Sequence, residues 1–189
     1  MNTYANRGKS LETLIRFANE RYSAAGIACI EKQATEFIPL RNKRGQICGA
    51  KVERKSSVDF LGRYKQYPIA IEAKSSSTDS IRFDEIQTHQ ADFMDSYTSE
   101  PGTIGLVMVS FEGKRFFVIP WFFWSAAYDE RVRKRSRNTL CRAVAHGQVW
   151  EAPKKFSVKA SELNPLWEIP AYDMTYGIDY LKHAEEYIL

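Results

Sequence analysis

The chain has 189 residues, 44% of them hydrophobic, with a formal net charge of +4 and a pI of about 8.9. That supplies one well-packed core and not two, so residues 1–189 are read as a single domain with a mild bias toward anionic partners. The longest apolar stretch, Phe116 to Tyr128, is broken by Pro120, residues 1–22 lack the apolar core of a secretory signal, and Cys29, Cys48 and Cys141 are odd in number and far apart, so a reduced, cytoplasmic protein without a membrane span or zinc site is expected.

Leu11, Leu14, Ile15, Ala18 and Tyr22 recur at helical spacing before Gly26, which predicts an amphipathic helix over 10–25. Ile27 to Glu31 reads as a short strand. Residues 37–53 read as a protruding hairpin, the body of a stalk-like excursion over 33–54, with the basic tip Arg41-Asn42-Lys43-Arg44-Gly45. Ser57 to Leu61 and Ile69 to Lys74 alternate as strands and pair as a hairpin turning at Lys65-Gln66. A polar loop over Ser75 to Ser80 follows, then a helix through Tyr97 with Asp84 and Gln87 as its capping pair. Thr103 to Phe111 and Arg115 to Ile119 form a strand pair, Trp121 to Tyr128 a buried helix, and Ile178 to Ile188 a terminal helix, with residues 129–189 a C-terminal extension of the same domain.

The chemistry concentrates in the second hairpin. Its turn sets Phe60 opposite Ile71, Val58 opposite Ala73 and Asp59 opposite Glu72. Val58, Phe60, Ile71 and Ala73 then share one buried face, and Asp59 and Glu72 stand together on the other, with Cβ atoms roughly 5 Å apart. Two carboxylates that close repel unless a cation lies between them. Magnesium is typically held by one or two carboxylates plus a substrate phosphate. Lys74 follows on the same face, roughly 6.7 Å along the strand, placed to hold a water or to neutralise charge at phosphorus. Two acids and a lysine in this pattern suit metal-assisted phosphodiester hydrolysis; the competing reading is a solvated ladder with a Glu–Lys pair. Gln90 falls inside the apolar stripe Ile86, Phe93, Met94 and Tyr97, where its amide needs a partner, either the site or the backbone. Glu12 flanks the Leu11–Ile15 stripe and either reaches the neighbouring sheet or stays exposed.

Taken with the element order, several stretches resemble a known family. Asn6-Arg7-Gly8-Lys9-Ser10-Leu11-Glu12, Lys55-Ser56-Ser57-Val58-Asp59-Phe60-Leu61-Gly62-Arg63-Tyr64-Lys65, Ile71-Glu72-Ala73-Lys74 and Phe83 through His89-Gln90 are similar to runs in the RecU-type Holliday junction resolvases, within the PD-(D/E)xK nuclease superfamily. The matches span residues 6–111, and Val58 stands where the superfamily name has Pro. The resemblance implies a restriction-endonuclease-like α/β core, a mixed central sheet flanked by helices, with the basic hairpin at 33–54 as the stalk that enters the junction centre. It implies catalysis by Asp59, Glu72, Lys74, Gln90 and Glu12, with Mg2+ (or Mn2+) held by Asp59, Glu72 and Gln90. DNA contacts would come from Arg7, Lys9, Arg41, Lys43, Arg44 and Lys55. The partners implied are four-way junction DNA, a second copy of the chain in a homodimer, and recombination proteins.

Basic residues fit that picture. Six Lys or Arg lie between Arg41 and Lys55 against the single acid Glu53, and Arg131, Arg133, Lys134, Arg135 and Arg137 form a denser run. Phosphate contacts of this kind carry affinity without reading sequence, although either run alone also fits plain solvated surface. Three functions stay open: a junction-resolving endonuclease, another PD-(D/E)xK endonuclease of restriction or nicking type, and a branched-DNA-binding protein without catalysis.

Overall fold

The computed structural model describes residues 4–54, 56–134, 143–145, 148–150, 155–170 and 177–187. In chain order these form α1 (Tyr4–Ala24), β1 (Ala28–Lys32), β2 (Glu36–Arg41), β3 (Ile47–Arg54), β4 (Phe60–Tyr64), β5 (Tyr67–Ser76), β6 (Ser80–Arg82), α2 (Thr88–Tyr97), β7 (Ile104–Phe111), β8 (Arg115–Pro120), α3 (Trp121–Arg131), β9 (Ala143–Ala145), β10 (Gln148–Trp150), β11 (Ser157–Lys159), β12 (Glu168–Ile169) and α4 (Tyr180–Tyr187).

Leu11, Ile15, Ala18 and Tyr22 of α1 are buried at the expected helical spacing. The helix stops at Gly26, whose φ of 69° suits a residue without Cβ. There the Ile27 N–H donates to Tyr22 O at 2.8 Å and the Gly26 N–H to Ser23 O at 3.0 Å, the paired bonds of a Schellman stop.

Six strands form the central sheet in the order β1-β4-β5-β7-β8-β12, antiparallel except for the parallel pair β5 and β7. The β4–β5 hairpin turns at Lys65-Gln66 with Phe60 opposite Ile71, the register expected from the alternation. Lys65 takes φ 53° at the turn. One face of the sheet packs Phe60, Ile69, Ile71, Leu106 and Met108 against α1 and α4. The other packs Ala70, Val107 and Val109 with Phe83, Met94, Trp124 and Tyr128 from the α2 and α3 side. Each large apolar side chain so buried contributes roughly 1.5–3 kcal/mol. The result is a mixed sheet flanked by helices on both faces, as expected.

Three local expectations are corrected. Residues 57–59 form a bend and β4 begins only at Phe60, so Val58 joins the α2/α3-side core rather than sharing a face with Phe60. Alternation holds within a hydrogen-bonded ladder and lapses where the ladder ends. Next, α2 begins at Thr88 rather than after Asp84. Its first turn is closed by the Gln90 side chain, whose oxygen accepts the Gln87 N–H at 3.0 Å, while Asp84 forms a forked pair with Arg82. Finally, Arg133 does not belong to a basic surface. Its guanidinium is held by Asp92, Asp95 and Asp129 at 2.5–2.7 Å and is only 8% exposed, so it ties α3 to α2. Arg135 and Arg137 lie outside the described residues.

The expected arm is the β2–β3 hairpin, paired only with itself among the described residues. Every residue of β2 is exposed, including Phe37, Ile38 and Leu40. At its tip Asn42 Oδ1 accepts the N–H groups of Arg44 and Gln46, and Gly45 takes φ 78°. Among the described residues no helix is long and apolar enough to cross a membrane.

Candidate active site

β5 is a central strand covered on both faces, so an ordinary sequence would place only apolar residues there. Glu72 sits in its middle, fully buried. Its Oε1 accepts from Lys74 Nζ at 2.6 Å and from Gln90 Nε2 at 2.6 Å. Its Oε2 is buried without a hydrogen-bond partner among the described residues. A buried carboxylate oxygen left bare costs folding free energy, and such an oxygen is open to a water or a cation.

Asp59 reaches the same spot by a different route from the one its strand register suggested. Because β4 starts at Phe60, it leaves the backbone of β5 beyond Ile71 unpaired on that side. Asp59 Oδ2 fills the gap by accepting the Ala73 N–H at 2.8 Å. The Asp59 carbonyl in turn accepts the Gln33 N–H at 2.8 Å, fixing the bend to the segment after β1.

Burial, and then the Asp59 charge, push the Glu72 carboxyl up to about 7, with Lys74 opposing them. Burial also raises Asp59; the bond from Ala73 and the Lys74 charge oppose that rise, and Glu12 adds to it. Two neighbouring acids driven upward by burial, one of them also by the charge of the other, are a frequent signature of a functional site.

Gln90 lies at the start of α2 with both ends of its amide engaged. Its nitrogen meets Glu72, and its oxygen takes the Gln87 N–H and a long 3.4 Å contact from Lys74. Glu12 comes in from α1 and is ion-paired with Lys32, the last residue of β1. The structure thus brings Asp59, Glu72, Lys74 and Gln90 together, with Glu12 at the margin. Arg41, Lys43 and Arg44 stand apart on the arm tip, and the side chains of Arg7, Lys9 and Lys55 lie outside the described residues. Lys32 is the residue that sequence reasoning missed: a charged side chain at the end of a short strand reads as solvated, and only the Glu12 pair and its charge on Asp59 reveal it.

The donor set fits a hard divalent cation. Among the described residues no three His, Cys, Asp or Glu side chains converge on a metal position. Two converging carboxylates, one with a bare buried oxygen, match the sparse protein ligation that leaves room for water and phosphate.

Comparison with known proteins adds the family. A Holliday junction resolvase RecU of Mycoplasmopsis pulmonis is 32% identical over 97 residues, 51% of this chain and 58% of that protein. One from Streptococcus pneumoniae (strain P1031) is 28% identical over 141 residues, 70% of each. The chain spans about three fifths of the length of the first relatives, 58% and 63%. The solved structure of Archaeoglobus fulgidus Hjc, a Holliday junction resolvase from an archaeal hyperthermophile, aligns at TM-score 0.40 and 12% identity over 78% of this chain and 89% of that one. The sequence model of the family described as recombination protein U matches residues 6–186, nearly the whole chain, and the chain belongs to that RecU family.

Proposed function

We propose that this chain is a Mg2+-dependent, structure-selective endodeoxyribonuclease that cuts four-way DNA junctions in recombination and repair, working as a cytoplasmic homodimer alongside recombination proteins. The observation that carries the reading is the buried Glu72 with one bare oxygen, set against Asp59 and bridged to Lys74 and Gln90; membership of the family supports it. Asp59 and Glu72 would hold the metal. Gln90, with its oxygen committed to Gln87 and Lys74, orients Glu72, and would join the metal's ligands if its amide turned over. When bound, Mg2+ supplies charge for the transition state and acidifies water. Lys74, 19% exposed and anchored on Glu72, would offer its ammonium to the attacking water or to charge developing at phosphorus. Glu12 and Lys32 close the other side. Two such sites related by a two-fold axis suit a symmetric junction, and an isologous dimer supplies them.

A synthetic four-way junction and its matching linear duplex, each with and without Mg2+, test the reading. Selective cutting of the junction with Mg2+ or Mn2+ is expected, while Ca2+ supports binding with little cutting because its longer, looser coordination misplaces the nucleophile. Binding without cutting in any divalent metal favours the docking-only alternative, and equal cutting of both substrates favours a nicking or restriction-type enzyme.

The raised carboxyls make stability depend on pH and metal together. A carboxyl held above its ordinary value of 4.5, as Glu72 is at about 7, contributes stability that is full below 4.5 and lost as pH rises through 7. The loss is on the order of 3 kcal/mol. Metal-free protein is therefore expected to melt at lower temperature at pH 8 than at pH 5. Mg2+ should raise the melting temperature more at pH 8, where the carboxylates are ionised. Thermal melts at the two pH values check this; an equal Mg2+ effect at both would remove Glu72 from the metal site.

The arm is expected to govern junction affinity rather than chemistry. Replacing Arg41, Lys43 and Arg44 with Ala should leave the fold intact, since all three are exposed. Junction affinity should fall, with the log–log salt slope smaller by about 0.9 per lost phosphate contact. An unchanged slope would reduce the arm to a structural hairpin.

A further inference from the structure

Beside the metal site, on the same face of the sheet, a pocket of about 160 Å³ opens between the root of the arm and α2. Its floor is apolar: Val58 and Leu61 of the sheet side and Phe93 of α2. Its rim is polar and includes Gln33 and Glu36. The pocket is tied to the chemistry by the backbone. Val58 directly precedes Asp59, and the Gln33 N–H holds the Asp59 carbonyl at 2.8 Å. The volume is too small for most cofactors and equals that of about five waters, enough for one planar ring.

Phe93 is half-buried and stacked on Tyr97 at 5.6 Å with an interplanar angle of 25°, leaving an aromatic wall at the pocket. The Gln33 amide makes only a long 3.4 Å contact with Glu31 O among the described bonds. A glutamine amide pairs bidentately with adenine, and a carboxylate accepts the cytosine amino group. Glu36 supplies that carboxylate.

We propose that this pocket receives the nucleobase next to the scissile phosphate and selects bases with an exocyclic amine acceptable to Gln33 and Glu36, adenine or cytosine, so that cutting acquires a sequence preference. This rests on the nuclease reading, and deepens it by assigning the specificity-determining residues. Phosphate contacts from the arm bring the strand to the site without regard to sequence. The pocket then discriminates only when a base has left its stack, which costs least at a branch point where pairing is already interrupted.

The test uses four-way junctions carrying each of the four bases at the two positions on either side of the cut phosphates. With Mg2+, the wild-type protein is expected to favour adenine or cytosine at one position on the order of tenfold. In Gln33→Ala that preference should shrink to under about threefold, because the favoured base alone loses its bidentate partner. In a second arm, 2-aminopurine placed beside the favoured base should brighten on binding in Ca2+, where cutting is suppressed, as that base leaves the stack, and Phe93→Leu should blunt the change. A flat wild-type profile, a preference for guanine or thymine, or a preference that survives Gln33→Ala overturns the proposal. Failure to cut any junction overturns the nuclease reading instead, and the fluorescence arm then judges the pocket on its own: no brightening removes it.

Discussion

Glu72→Gln and Asp59→Asn are each expected to lower junction cleavage by about a thousandfold or more while leaving junction affinity within a few-fold. Each substitution removes one unit of charge and little else. The amide introduced at position 59 keeps an oxygen for the Ala73 N–H, and the one introduced at position 72 keeps an oxygen for Lys74 and Gln90. On the proposed reading what is lost is a metal ligand, and with it several kcal/mol of charge stabilisation in the transition state; about 4 kcal/mol corresponds to a thousandfold in rate. Glu72→Gln should also differ from a folding defect in sign. An amide at position 72 cannot ionise, so without metal at pH 8 that variant should melt at or above the parent. Single-turnover cleavage, filter binding and thermal melts on the same preparations separate these effects. Full activity in either variant would sink the assignment.

Arg133→Met is expected to destabilise the protein by about 3–5 kcal/mol without touching DNA affinity. Removing one partner of a buried ion pair strands the other. Here three aspartates converge on one guanidinium, and the Asp129 side chain is only 1% exposed. Asp95 also accepts from Trp121 Nε1 at 2.9 Å, so the same cluster aligns the start of α3. Tyr128 packs its ring on the guanidinium at 5.1 Å, which Met replaces only in part. Urea unfolding measures the loss, and the salt slope of junction binding should match that of the parent. A reduced slope with normal stability would instead return Arg133 to the DNA-binding surface.

Much of the candidate site's geometry was legible in the sequence because the hairpin obeys a two-residue period. The 60-to-71 register follows from where Ile69, Ile71, Phe60 and the Lys65-Gln66 turn fall, and Glu72 stands out because β5 otherwise carries apolar residues inward on both faces. The same rule misplaced Val58, since periodicity carries no information about where a ladder stops. Gln90 was found for a good reason, an amide inside an apolar stripe, but that it also closes the first turn of α2 depends on the helix starting at Thr88. Lys32 was missed and Arg133 misread for a shared reason. A charged residue's role is set by partners distant in the chain, and Lys32 lies 20 residues from Glu12 while Arg133 lies 38 from Asp95.

The bend at 57–59 has a mechanical consequence. Both roots of the arm converge on it: β3 ends at Arg54, five residues before Asp59, and β2 begins at Glu36, three residues after Gln33, whose N–H grips the Asp59 carbonyl. The arm is thus a lever whose fulcrum carries a carboxylate of the site. A displacement of the hairpin would reach Asp59 through a few bonds, whereas Glu72 is held within the β5–β7 ladder. On the proposed function, thermodynamic linkage then requires that whatever such a movement does to cation affinity, the cation does equally to junction affinity.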